Sequence, residues 1–349
     1  MRTIGYASNA KGSPLKLHVF ERRELRPNDV LMEVLYCGVC HSDMHMVNDD
    51  WGMSLYPLVP GHEIVGRVIQ VGKDVKKYKI GDHVAVGCMV DSCLSCDPCR
   101  QGEEQYCLNE TTLTYCSCDR IDGTVTKGGY SKHLIAREEF VLRVPDTLDL
   151  SRAAPLLCAG ITTYFPLRTW QVGPGSRVGV VGLGGLGHMA VKLAVAMGAE
   201  VTLISRSASR ASEAKRLGAD RLLVSTDDQA MAQVANSLDL IIDTIPVKHD
   251  INPYLPLLVM DGTFCLVGQL GPLTELNSAP LLLGRRRIAG SAIGGIAETQ
   301  EMLDFCGRKQ VLPDCEMINI QDINKAYERL AKSDVKYRFV IDMASLQVE

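Results

Sequence analysis

Four cysteines fall within fifteen residues, Cys93, Cys96, Cys99 and Cys107, in the pattern C-x2-C-x2-C-x7-C. With Pro98 and Gly102 turning the chain between them, four thiolates at this spacing can wrap one tetrahedral ion at a Zn–S distance of about 2.3 Å. A closed four-sulfur shell leaves no position for substrate, so an ion held there is structural; an iron–sulfur cluster is the competing occupant. Disulfides are disfavoured by the rest of the chain. The cysteine count is thirteen, an odd number, and the opening Met1-Arg2-Thr3-Ile4-Gly5-Tyr6 lacks the apolar core of a secretory signal. A reducing, cytoplasmic setting is expected, and with it metal rather than disulfide chemistry.

At 349 residues the chain has the length of two domains. Its 37 Lys and Arg against 41 Asp and Glu give a net charge of −4 with no basic block, which speaks against nucleic-acid or membrane-surface binding. The stretch 178–204 is the nearest approach to a membrane span. It is glycine-rich and broken by His188, Lys192 and Glu200, and reads better as a buried strand, loop, helix and strand. The first 150 residues carry short apolar runs bounded by Gly, Pro or Asp: 30–36, 64–69 and 83–86. From Ser176 strand-like runs at 177–181, 201–204, 221–224, 238–243 and 263–267 alternate with helical stretches, the pattern of a parallel sheet with crossover helices. Gly198 is placed as a helix stop. Helices are predicted at 298–309 and 322–331, then a strand at 337–342. The run Arg285-Arg286-Arg287 reads as a solvated loop or an oligomer contact.

Cys40, His62 and Cys158 are scattered, and each alone reads as a core cysteine or a satisfied histidine. Together they form the mixed shell of two sulfurs and one nitrogen that keeps a fourth tetrahedral position open. Cysteines 37, 88, 116, 118, 265, 306 and 315 are left as core or incidental residues, Cys116 and Cys118 being weak metal candidates.

Val178-Gly179-Val180-Val181 runs into Gly182-Leu183-Gly184-Gly185-Leu186-Gly187 and then a helical stretch. A glycine-rich turn between strand and helix is the dinucleotide-binding fingerprint: Gly182 for the turn, Gly184 for close backbone approach to the pyrophosphate, Gly187 for helix–strand packing. The helix amino terminus then faces the phosphates. Eighteen residues beyond Gly187, where an NAD binder offers an acid to the ribose, stands Ser205-Arg206-Ser207-Ala208-Ser209-Arg210. An acid would repel a 2′-phosphate, whereas Ser205, Arg206, Ser207 and Arg210 can accept one. A polar helix cap followed by surface arginines is the plainer reading.

The chain resembles the zinc-dependent medium-chain alcohol dehydrogenases, within them the cinnamyl alcohol dehydrogenase branch. Pro60-Gly61-His62-Glu63, Asp122-Gly123-Thr124, Gly128-Gly129-Tyr130-Ser131, Pro155-Leu156-Leu157-Cys158-Ala159-Gly160-Ile161-Thr162 and Tyr337-Arg338-Phe339-Val340-Ile341-Asp342 carry the likeness, which extends over nearly the whole chain. It implies an α/β architecture: a GroES-like β-rich catalytic domain (1–152), an inserted Rossmann domain with a doubly wound parallel sheet binding NADP (153–294), and a carboxyl-terminal segment completing the catalytic domain (295–349).

Residue by residue, the resemblance makes Cys40, His62 and Cys158 the ligands of a catalytic zinc, with Glu63 able to approach the same ion. Asp43 becomes the acid orienting the histidine ligand, Ser42 the hydroxyl that exchanges the substrate proton, and His45 the solvent end of that relay. His41, Thr162 and Gly182–Gly187 become cofactor contacts. Trp51, Leu55 and Ile293 are pocket candidates that read equally well as core. The expectation is two zinc ions per chain and a homodimeric NADP(H)-dependent alcohol dehydrogenase acting on aromatic or medium-chain aldehydes. The alternatives are an NAD-linked polyol dehydrogenase and a nucleotide-binding protein of the same fold without turnover.

Overall fold

A computed structural model describes residues 1–347. The chain divides into two compact units, one comprising Met1–Ile161 together with the segment from Gly294 onward, the other Thr162–Ile293. The first division falls inside the helix Ala159–Thr169 rather than ahead of Ala153.

In the first unit the organising element is the eleven-residue strand Asp29–Val39. Val30, Met32, Val34, Cys37 and Val39 are all buried in one apolar core. Along one edge it pairs antiparallel with Ile64–Val71, and along the other with His133–Arg137 and then with Arg338–Asp342. The sheet continues through His83–Val86 and Leu142–Arg143 on one side and through Cys315–Asn319 on the other. The strand outruns the expected 30–36 because Gly38 does not end it. A Cβ at Gly38 would stand 1.9 Å from Glu63 Oε2, so glycine there makes room for a buried carboxylate instead of marking a turn. The helix His41–Val47 follows directly.

The second unit holds a six-stranded, all-parallel sheet. Its order is Arg221–Val224, Glu200–Ser205, Arg177–Val181, Leu238–Asp243, Leu258–Leu266 and Arg287–Gly290. Val178, Val180, Val201, Leu203, Leu240, Ile241 and Ile242 are buried, as expected for strands covered on both faces. The helix Gly185–Met197 ends at Gly198, which takes φ +92° as its left-handed cap. No helix among the described residues is long and apolar enough to cross a membrane. The arginine run is more than a solvated loop: Arg286 donates to Leu258 O and Asn236 Oδ1, Arg285 pairs with Asp261, and Arg287 opens the edge strand.

Candidate active site

The loop after strand Met89–Asp91 brings the four spaced cysteines together. Their sulfurs lie within 4.8 Å of one another, with Cys93–Cys99 and Cys96–Cys107 each at 3.9 Å. A tetrahedral shell with Zn–S of about 2.3 Å sets its sulfurs roughly 3.8 Å apart, so the observed edges suit one ion. Backbone amides of Ser95, Cys96 and Leu108 donate to these sulfurs at 3.3–3.5 Å. Cys93 is lowered to about 4, led by its contact with Asn109, whereas burial pushes Cys99 up to about 12.

The second set assembles from three separate stretches of chain. Cys40 caps the helix His41–Val47, His62 and Glu63 lead into the strand Ile64–Val71, and Cys158 joins the short turn Ala154–Leu157 to the helix Ala159–Thr169. All four residues are buried, and one ligand atom from each lies within 4.8 Å of the others. Cys40 Sγ and Cys158 Sγ are 3.9 Å apart. That contact holds Cys40 well below the ordinary thiol range and pushes Cys158 up.

Asp43 sits beneath this cluster, fully buried. His62 Nδ1 lies 3.0 Å from Asp43 Oδ1. A carboxylate can only accept, so Nδ1 carries the hydrogen and Nε2 is left as the free donor atom. Burial opposes charge on His62, but Asp43 more than offsets it and the ring is pushed well up. Glu63 accepts from Arg338 Nη2 through Oε1, while its Oε2 is buried with no hydrogen-bond partner. Burial raises Glu63 to about 7 despite that arginine. An orphaned carboxylate oxygen beside two thiols and an imidazole suits a cation.

Ser42 Oγ accepts from Cys40 Sγ at 3.7 Å. His45 is half-buried, with Nδ1 2.7 Å from Asp50 Oδ2 and its ring 5.3 Å from that of Trp51. Among the described residues no hydrogen bond joins Ser42 to His45, so proton passage between them needs an intervening hydroxyl or water. His41 opens the same helix, its basicity lowered by burial. Leu55 is exposed and donates its amide to Cys116 Sγ, and Ile293 is half-buried. Cys116 and Cys118 join neither metal cluster.

Cys88 lies outside both clusters. Its thiol is held below the usual range chiefly by Cys158, with His62 acting in the same direction. Arg338, Tyr115, Tyr130 and Asp50 are also not singled out as site residues from sequence. A charged Arg338 heading an apolar strand is the one local signal that a buried acid awaited it.

In the second unit Gly182 has φ +92°, and a Cβ on Gly187 would stand 2.2 Å from Gly182 O. Neither position accepts a side chain, whereas the space before Gly184 is open. Leu183, Gly185 and Leu186 are half-buried around it, and Thr162 is buried in the helix Ala159–Thr169. Ser205 ends its strand with its backbone oxygen accepting from Ser225 N. Ser207 caps the turn Ala208–Arg210, Arg206 is exposed, and neither Arg206 nor Arg210 takes part in an ion pair among the described residues.

A parallel sheet ending in this glycine turn is a dinucleotide fold, and a sulfur–nitrogen shell with an orphaned carboxylate in the other unit makes the class that of metal-dependent dehydrogenases. Comparison with known proteins narrows this. Residues 26–146 match the alcohol dehydrogenase GroES-like domain, and residues 185–308 the zinc-binding dehydrogenase domain. The chain is 51% identical over 349 residues to NADP-dependent alcohol dehydrogenase C 1 of Mycolicibacterium smegmatis, covering 99% of this chain and 100% of that one. It is 53% identical over 335 residues to a mannitol dehydrogenase of Petroselinum crispum, covering 95% and 98%. A solved cinnamyl alcohol dehydrogenase of Sorghum bicolor superposes with a TM-score of 0.96 at 45% identity, covering 100% of this chain and 99% of that one. The chain belongs to the zinc-binding alcohol dehydrogenase family.

Proposed function

We propose that the chain is an NADP(H)-dependent reductase of aromatic or medium-chain aldehydes, running in reverse as an alcohol dehydrogenase, with two zinc ions per chain and a homodimeric assembly. The observation that carries this reading is the buried cluster of Cys40, His62 and Cys158, with Glu63 as a fourth, partly unsatisfied donor. These residues would hold one zinc ion, and Cys93, Cys96, Cys99 and Cys107 the other. When bound, the catalytic zinc supplies Lewis acidity to the carbonyl oxygen and the nicotinamide supplies the hydride.

The protein's own part is orientation and proton handling. Asp43 fixes the His62 tautomer that leaves Nε2 free. Ser42 places a hydroxyl beside Cys40, where it can give a proton to the nascent alkoxide or take one from an alcohol. His45, oriented by Asp50, exchanges that proton with solvent. In the second unit, Gly182–Gly187 with the amino terminus of Gly185–Met197 would receive the pyrophosphate. Ser205, Ser207, Arg206 and Arg210 would receive a 2′-phosphate, and the absence of an acid at position 205 favours it.

The parsley relative named for mannitol keeps a polyol substrate as the second reading. The deciding experiment is a panel of cinnamaldehyde, benzaldehyde, medium-chain aliphatic aldehydes and mannitol, assayed with NADPH and NADH or their oxidised forms, alongside metal analysis. Faster turnover of aldehydes with NADPH supports the proposal. Mannitol oxidation with NAD as the fastest reaction overturns it.

A further inference from the structure

Asp43 carries far more than the single contact to His62 that its place beneath the ligand cluster requires. Oδ1 takes Gly61 N at 3.0 Å, His62 Nδ1 at 3.0 Å and the hydroxyl of Tyr115 at 2.8 Å. Oδ2 takes Cys40 N at 3.0 Å and the hydroxyl of Tyr130 at 3.3 Å. The carboxylate is wholly buried, and no arginine or lysine pairs with it among the described residues. Apart from His62, its charge is met by oriented neutral donors, two of which are phenols from distant stretches of chain.

Both phenols are held in place by backbone, not merely packed. The segment Gly128–Tyr130 runs beside Val59–Gly61, with Gly128 N, Gly129 N and Tyr130 N donating to Val59 O, Gly61 O and Pro60 O at 2.8, 2.8 and 3.0 Å. Tyr115 lies between Thr114, tied to Cys88 O, and Cys116, tied to Thr126 O. Its hydroxyl also lies 3.4 Å from His62 Nδ1, and the two rings are 5.8 Å apart. A third buried phenol in the same core, Tyr327, makes no hydrogen bond of ordinary geometry but faces Tyr130 and Asp43.

We infer that Tyr115 and Tyr130 are positioning residues for the catalytic metal, acting through Asp43 on His62. This rests on the proposed zinc-dependent function of the Cys40–His62–Cys158 cluster. The reasoning is one of donor supply. A buried carboxylate that loses two of its five donors is no longer held in one orientation and turns to recover them. Turning withdraws Oδ1 from His62 Nδ1, so the imidazole is no longer held in the orientation and tautomer that leave Nε2 free. The phenols thereby keep His62 competent to hold metal without touching metal or substrate themselves.

The test uses the full-length zinc-loaded protein and its Tyr115→Phe, Tyr130→Phe and double variants, each of which keeps its rings. Zinc transfer to a chromogenic chelator is followed in time, and the phase belonging to the catalytic ion is identified as the one missing from Cys158→Ser. Loss of a partner behind a ligating histidine costs roughly 10–100-fold in metal affinity or activity. The double variant is expected to release that ion about tenfold faster, with the four-cysteine phase unchanged. The visible bands of the cobalt-substituted Tyr115→Phe protein should shift as well. Unaltered release and spectra in the double variant, or equal acceleration of the four-cysteine phase, would show that the phenols only fill space. If the unsubstituted protein holds no metal at the cluster, the functional proposal itself fails and this inference goes with it; if it binds zinc and reduces aldehydes, only the inference is at stake.

Discussion

Arg338 and Glu63 stand 275 residues apart in sequence and form a fully buried ion pair at the edge of the ligand cluster. The pair does not neutralise the carboxylate's discomfort, since burial still raises Glu63 to about 7. Removing the arginine leaves an uncompensated buried charge, a change that typically costs about 3–5 kcal/mol. Glu63 can escape by protonation, and this sets the sign of the pH dependence. A carboxylate raised above its unfolded value of 4.5 stabilises the fold below that value, and the contribution is lost as pH rises through the folded value. Arg338→Met raises the folded value further, so its destabilisation should be larger at pH 8 than at pH 6. Urea midpoints at the two pH values read this directly, and an equal loss at both would count against the pairing as described.

The two cysteine clusters should fail differently. Cys99→Ser opens a closed sulfur shell and is expected to lower thermal stability and impair folding, because structural zinc contributes folding free energy directly. Cys158→Ser should leave the fold intact, abolish turnover and reduce the zinc content from two ions per chain to one. Metal analysis beside a melting curve separates the outcomes, and a fully active preparation with a single zinc would refute the two-ion assignment.

For the proton path, Ser42→Ala removes the hydroxyl next to Cys40 and is expected to lower kcat by ~10²–10⁴-fold with zinc retained. His45→Gln should cost ~10-fold, since solvent can substitute at the outer end. Asp50→Asn, which weakens the 2.7 Å contact to His45 Nδ1, should move the pH profile of alcohol oxidation more than it moves KM. Full activity in Ser42→Ala would remove serine from the relay.

Cofactor choice is tested at position 205. A carboxylate 4 Å from one phosphate charge is worth up to ~4 kcal/mol of repulsion at an effective dielectric of 20, and exposure leaves about a third to a half of that. With an attraction of similar size from Arg206 or Arg210 added to the repulsion that Ser205 avoids, NADPH is expected to be preferred over NADH by ~10²-fold in kcat/KM, at 1.36 kcal/mol per tenfold. Ser205→Asp with Arg210→Ala should erase or invert the preference without changing zinc content. Equal use of both cofactors by the unsubstituted protein would contradict the role given to this stretch.

What the sequence reveals, and what it hides, follows from range. The glycine turn and the parallel strands 177–181, 221–224 and 238–243 are readable because each is a local pattern, and the structure has them at those residues. The strand Leu258–Leu266 was expected only from Thr263. Its middle, Met260-Asp261-Gly262, looks like a turn, and Asp261 indeed takes φ +67°. Pairing resumes across the irregularity, from Leu238–Leu258 to Leu240–Thr263, so tertiary pairing overrides local preference. At the ligand cluster, the residue types of Cys40, His62 and Cys158 were suggestive because few other chemistries use them. Tyr115, Tyr130 and Arg338 were not, because a phenol or a guanidinium acquires its role only from the acid it meets, and that acid lies far off in sequence.

The long strand Asp29–Val39 is completed along one edge by Arg338–Asp342, and this ties the site to the order of synthesis. All the ligating cysteines and His62 leave the ribosome well before Arg338, and the whole of 162–293 is made in between. At a synthesis rate of about 5–20 residues per second, the nascent chain spends roughly ten seconds or more with Glu63 made but its cationic partner still untranslated. During that interval the half-built centre is a set of reduced thiols with an unfinished sheet beside them. Metal delivery, oxidation and chaperone capture all compete for it until a strand made 275 residues after Glu63 arrives.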